Sequence, residues 1–183
     1  YGITAKNLKR GDESFVYDDY AGIDVRGKVA IILRKEPQQH DKNSPFNGTQ
    51  NTPHALFARK LENAAEHGAI AVIFVNDAQE LASQAVENRK LLTSALDKLA
   101  ALREKLTQAP PNDSGFSKLA GEVASAANEA AEMAKVASAN VDGLLPFGGA
   151  GESNANPTLP VMFCTRQAID NILKGAGERD LVT

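Results

Sequence analysis

The chain has 183 residues, 43% hydrophobic and 23% charged, an ordinary globular composition that suits one domain, or one domain with an elaboration. A formal net charge of −3, a pI of about 5.7, 5% aromatic residues and no tryptophan argue against attraction to the nucleic-acid backbone and against a stacking platform for single strands. No apolar run approaches the roughly 18 residues of a membrane span, and a lone cysteine, Cys164, leaves no intrachain disulfide.

In chain order, "YGITA" (Tyr1–Ala5) reads as a short strand, "NLKRGDES" as a polar turn and "SFVYDDY" as a second strand. The opening lacks the n-region and h-region of a signal peptide, and the chain closes at "ERDLVT" soon after a helix. We read it as an excised piece of a longer protein. "VAIIL" (Val29–Leu33) is β-branched and apolar throughout, the pattern of a strand buried on both faces. "QQHDKNSPFNGTQNT" is a long polar loop.

Thr52 then serves as an N-cap with Pro53 at the first helical position. The helix "PHALFARKLENAAEHG" puts Leu56, Phe57, the Lys60 stem, Leu61, Ala64 and Ala65 on one side, and Gly68 takes the left-handed position after its end. "AIAVIFV" (Ala69–Val75) is a second buried strand and "LPVMFC" (Leu159–Cys164) a third, followed by Thr165 as N-cap of the helix "RQAIDNILKGAG". Strand, helix, strand, helix is an α/β layout. Cys164 inside an apolar run reads as core rather than as a nucleophile.

Residues 81–140 differ. Leu81, Ala85, Asn88, Leu92, Ala95, Leu99, Leu102 and Leu106 alternate spacings of four and three, as do Phe116, Leu119, Val123, Ala126, Ala130, Met133 and Ala137. Both are heptad seams, separated by the breaker "APPNDSG". The simplest arrangement is an antiparallel helical hairpin, coiled-coil-like, with arms of about 35–40 Å. Asn88 within the seam is a register device or a partner contact. "VDGLLPFGGAGESNANP" after it is loop.

The reactive inventory is sparse. His40, His54 and His67 form no H-E-x-x-H, H-x-D or Cys/His cluster. "FGGAGES" lacks the spacing and the lysine of a phosphate loop, and no G-x-S-x-G is present. Asp12, Glu13, Asp18 and Asp19 do not follow a calcium-loop pattern and read as solvated surface. "NGT" (Asn47–Thr49) and "NDS" (Asn112–Ser114) are glycosylation sequons. Asn76-Asp77 ends the second buried strand, and Asp77 with Glu80 sits where an N-cap and first-turn acid would start the next helix.

Three blocks carry a resemblance: "YDDYAGIDVRGKVAIILRKEP", "FNGTQNTPHALFARKLENAAEHGAIAVIFVND" and "LPFGGAGESNANPTLPVMFCTRQAIDNIL". In this order they resemble the protease-associated (PA) domain, in the version inserted in M28-type zinc aminopeptidases. The resemblance covers residues 1–80 and 141–183 as a PA-like body and leaves 81–140 as an inserted hairpin. It implies an α/β (α+β) chain with a swivelling β/β/α fold, a small sheet or open barrel flanked by helices. It also implies a non-catalytic accessory role, governing substrate access or binding proteins and peptides.

On this reading the chain has no catalytic residues, no metal and no cofactor of its own, with zinc only in the parent's catalytic domain. Its partners are that domain and a peptide or protein substrate, not nucleic acid, the chain encodes no membrane span, and its setting is extracellular, periplasmic or in the cell envelope. Phe46, Asn47, Gly48 and Thr49 in one loop, and Phe147 and Gly148 in the other, are the expected contact residues, although both phenylalanines equally suit the domain's own core. Two rival readings stand beside it. One is an interaction or oligomerisation module working through the hairpin, self-association included. The other is a small α/β ligand-binding domain.

Overall fold

The computed structural model describes residues 1–10, 12–48, 50–111, 114–144 and 159–177. The chain divides into two compact units, Tyr1–Glu80 with Asp142–Thr183, and Leu81–Val141.

The first unit begins with an antiparallel pair, β1 (Thr4–Arg10) and β2 (Glu13–Asp18). Sequence reasoning placed a turn over "NLKR", but β1 continues through it. Asn7 adopts φ 66° at an irregularity in the register between Ala5 and Leu8. Asparagine tolerates the left-handed region, so a bulge here costs little, and pairing with β2 satisfies the polar residues' backbone. Ile3 and Ala5 pack there with Tyr1, Leu8, Tyr17 and Phe46 in one small core.

A three-stranded parallel sheet follows, in the order β3 (Val29–Leu33), β4 (Ala71–Val75), β5 (Val161–Cys164). Ile31 pairs with Ile73, and Ile73 with Met162. One face of the sheet, Ala30, Ile32, Val72, Phe74, Val161 and Phe163, joins Tyr20, Phe57, Leu61 and Ala64 in the main core. Phe57, Phe74 and Phe163 meet edge to face or stacked, with centroids 4.6–5.6 Å apart. The expectation that Val29–Leu33 is buried on both faces fails. Its residues alternate, Ala30 and Ile32 being buried and Val29 and Ile31 exposed. Only one face of this sheet joins the main core, as exposed Met162 on β5 also shows, and β-branched residues keep the extended backbone on the other face.

Helix α1 spans Phe57–Glu66, starting four residues later than Thr52 and Pro53 suggest. Thr52 does cap, accepting from the His54 amide, but the turn it starts is a 3-10 turn at Pro53–Ala55. Leu56 then returns to extended backbone before α1 begins. At the other end Gly68 adopts φ 83° as expected. The buried side of α1 includes two polar residues at i and i+3. Lys60 donates to the Tyr1 carbonyl at 2.6 Å and the Leu33 carbonyl at 3.2 Å, while Asn63 donates to the Gly2 carbonyl at 3.2 Å. These three bonds tie the β1 segment and the end of β3 to one helix. After β5, Thr165 Oγ1 accepts from the Ala168 amide and caps α4 (Arg166–Gly175), which comes after α2 (Ala78–Gln108) and α3 (Phe116–Ser138) in chain order.

The second unit consists of α2 (Ala78–Gln108, whose first three residues belong to the first unit) and α3 (Phe116–Ser138). Every residue of the two heptad seams is buried or half-buried, and most of their neighbours are exposed. Lys98 pairs with Glu129 at 2.6 Å and Asn88 Nδ2 donates to the Val136 carbonyl at 3.5 Å, so the helices run antiparallel. Asn88 therefore acts across the seam, fixing register through a backbone group.

Candidate functional site

In an open parallel sheet the loops leaving the carboxyl ends of the strands converge, and ligands bind there. Here those loops are "RKE" after β3, "ND" after β4 and "TR" after β5. Their side chains form one polar cluster. Arg34 donates to Asn76 Oδ1 at 2.5 Å. Asn76, itself buried, donates through Nδ2 to Asp142 Oδ1 at 2.9 Å and to the Gly143 carbonyl at 3.3 Å. The Asp142 carboxylate in turn accepts the Arg166 and Gln167 amides at 3.0 and 3.1 Å, so it occupies the N-terminus of α4. The Arg166 side chain, nine-tenths buried, reaches along its own helix to Asp170 at 3.2 Å.

Asp77 caps α2 as its position predicts, accepting the Gln79 and Glu80 amides at 2.8 and 3.1 Å. Its other oxygen accepts the Tyr1 hydroxyl. Glu80, in the first turn, pairs with Lys35 through one oxygen and with His40 Nε2 through the other at 3.0 Å. His40 sits in the long polar loop, held by its amide to the Gly48 carbonyl at 2.6 Å. One acid thus links the exit of β3, the long loop and the start of α2.

The electrostatics follow from burial against pairing. Burial pushes Glu80 up, but the bonds and charges of Lys35 and His40 outweigh it, and its carboxyl is held below the ordinary range. Burial lowers Arg34, with Glu80 opposing. Burial and then the Asp77 bond raise the Tyr1 phenol. On α1, burial lowers Lys60 to about 7, against the pull of Asp19 and Glu36. The cluster is one of mutually engaged charges rather than of a nucleophile beside a base. Among the described residues no group of three or more His, Cys, Asp or Glu is placed to hold a metal ion.

The long loop contains the first set of expected contact residues. Phe46 is 1% exposed. It lies edge-on to Tyr17 at 5.0 Å and to His54 at 6.0 Å, so of its two expected placements the ring takes the core. Gly48 is also buried, and the chain approaches so closely there that a Cβ would overlap the Asp41 carbonyl. Asn47, at φ 67°, is the exposed residue of the three. Thr49, Phe147 and Gly148 lie outside the described residues. The acids Asp12, Glu13, Asp18 and Asp19 separate to the two ends of β2, where Asp18 accepts the Tyr20 amide at 2.9 Å and Asp19 the Ile3 amide at 2.9 Å. His67 ends α1, its Nδ1 2.7 Å from the Asn63 carbonyl and its ring stacked on Tyr20 at 4.1 Å.

Sequence reasoning missed Arg34, Lys35, Glu36, Asn63, Asp142 and Arg166 as parts of a polar framework. A usable signal was present, since each buried run ends abruptly in charged or amide residues: "L-R-K-E", "V-N-D" and "C-T-R". Polar residues at the carboxyl ends of parallel strands gather at one edge.

A parallel sheet with a helical flank, a paired polar edge and a short antiparallel ribbon defines the class: a mixed α/β module. The family model of the PA domain matches residues 4–104, more than half of the chain, and the chain belongs to that family. PA domains are typically non-catalytic. No curated protein and no solved structure matches the chain.

Proposed function

We propose that this chain is the PA accessory domain of a larger, M28-like zinc aminopeptidase, modulating which peptides reach the catalytic domain or holding a protein partner. The observation that carries this reading is the family match. The paired carboxyl edge supports it, because charged groups engaged with each other stiffen a surface without supplying a reactive set. The exposed Asn47 turn and the loop around His40 are the surface we assign to contact with the peptidase domain or its substrate. The chain needs no cofactor for this role, and the setting is outside the cytoplasm or in the cell envelope. No helix among the described residues is long and apolar enough to cross a membrane.

The test is an assay of the isolated chain on aminoacyl substrates with added Zn²⁺. No turnover is expected, and robust turnover that survives re-purification overturns the reading. The parent reading frame checks the finer assignment, which expects an H-x-D motif downstream, followed by Glu-Glu and His.

A second reading, self-association through the hairpin, draws on Val86, Leu91, Leu96 and Val136, apolar residues exposed on α2 and α3. Light scattering decides it, since a monomer at high concentration removes the dimer.

A further inference from the structure

The backbone of the turn at Asn47 dictates its own sequence, and the sequence it dictates is a reactive one. Residue 47 stands at φ 67°, in the left-handed region that asparagine, aspartate and glycine enter most readily. Residue 48 has φ 33°, and a Cβ there would overlap the Asp41 carbonyl, so only glycine fits. The result is the chain's one Asn-Gly pair. In such a pair the glycine nitrogen attacks the side-chain carbonyl carbon of the asparagine, since no Cβ on the second residue shields that nitrogen.

The surroundings favour that attack at residue 47. Asn47 is exposed. The Gly48 N–H, the attacking group, donates to no described residue, while the Gly48 carbonyl accepts the His40 amide at 2.6 Å. Other asparagines are placed less favourably. After Asn43, the Ser44 amide is engaged with the Asp41 carbonyl at 3.0 Å. After Asn51, the Thr52 amide is engaged with Glu36 at 3.0 Å. Asn7 shares the left-handed φ, at 66°, but Leu8 follows it and its branched side chain crowds the nitrogen. Asn76 is buried, and Asn88 lies inside α2, where the next amide belongs to the helix ladder.

We propose that Asn47-Gly48 is a self-modification site, which converts to isoaspartate in the folded chain. The Gly48 nitrogen bonds to the side-chain carbonyl carbon of Asn47. The bond from that carbon to the side-chain amide nitrogen breaks, and ammonia leaves with the Gly48 amide proton. Water then opens the succinimide ring. Addition at the side-chain carbonyl gives aspartate. Addition at the main-chain carbonyl of residue 47 gives isoaspartate, whose main chain runs through the former side chain and is longer by a carbon. That carbon displaces Gly48 where the chain has no room even for a Cβ, so the bond from the His40 amide to the Gly48 carbonyl is lost and the turn changes shape. Phe46 stays in its own core with Ile3, Ala5 and Tyr17. That the altered turn changes contact with a peptidase domain or its substrate rests on the functional reading above. The conversion itself is a property of this chain alone.

The experiment incubates the full chain at pH 8, folded and, in parallel, unfolded in urea. Peptide mapping follows residue 47, and an isoaspartyl methyltransferase with a labelled methyl donor reports the isomer. In the folded sample Asn47 is expected to convert ahead of the other asparagines, and more slowly at pH 6, because the attacking amide must lose its proton. Asn47 that stays intact in the folded sample while converting in urea overturns the proposal, since the turn then protects the pair. Asn47→Gly keeps the left-handed backbone without a side-chain amide and should give no methyl label in this peptide. Label that survives there places the reaction elsewhere and also overturns it. Hydrogen exchange tests the change of shape. The His40 amide should lose protection in the converted chain and keep it in Asn47→Asp, which adds the charge without lengthening the main chain. Unchanged protection in the converted chain, or an equal loss in Asn47→Asp, overturns that part. None of these readouts involves a peptidase, so their failure leaves the accessory role standing, and catalysis by the isolated chain would leave the conversion standing.

Discussion

Lys60 shows how a polar residue becomes part of a core. Its side chain is 0% exposed, and it donates to the carbonyls of Tyr1, ahead of β1, and of Leu33, at the end of β3. Lys60→Met preserves the stem but leaves two buried acceptors without that donor, so stability should fall by about 1–3 kcal/mol in a denaturant titration. The pH dependence has a definite sign. With a folded-state pKa near 7 against an ordinary 10.5, the unfolded chain binds more protons between these values. The wild type should therefore gain stability relative to Lys60→Met as pH rises from about 7 towards 10.5. Glu80 behaves in the opposite sense. Its folded pKa lies below its ordinary value, so its contribution is complete above the ordinary carboxylate range and is lost as pH falls through the folded pKa. Urea midpoints at pH 7 and pH 3 should accordingly differ less in Glu80→Gln than in the wild type.

At the scale of elements, the legible features were those set by local chemistry. Thr165 caps α4, Asp77 caps α2 and Gly68 ends α1 through short-range bonds or a positive φ, and each could be read from its immediate neighbours. The seams of α2 and α3 were legible because a heptad pattern states directly which residues turn away from water. The misreadings share a cause. "NLKR" pairs as a strand because β2 lies beside it, and α1 starts late because Leu56 takes extended backbone after the 3-10 turn. Neither fact is encoded in propensity. Asp77→Ala should cost about 0.5–2 kcal/mol, since two amides of the first turn of α2 lose their acceptor, while Asp77→Asn retains a capping oxygen and should cost less. Chemical denaturation followed by far-UV circular dichroism compares the two.

For the molecule as a whole, the division into two units gives a direct prediction. Asn76 reaches Asp142 at 2.9 Å, so the outgoing and returning ends of the first unit are tied beside the end of β4. Replacing residues 81–141 with a short Gly/Ser link should therefore leave a body that folds. The amides of β3, β4 and β5 should remain protected from exchange and unfolding should stay cooperative. A molten product, with native helix content in the far-UV but no near-UV signal, would show instead that the body depends on the second unit.

The sequence by itself determined where the three apolar strands lie, the caps, the two helical seams and the family resemblance, because each depends on residue type at a fixed local spacing. Tertiary structure alone decided the polar framework. Whether Phe46 faces solvent or core, where Lys60 and Asn63 find acceptors, and how Asn76 meets Asp142 at a sequence separation of 66 all depend on which distant groups arrive nearby. Hydrogen bonds reach only about 3 Å, so a polar side chain's partner is known only once the fold has brought it there.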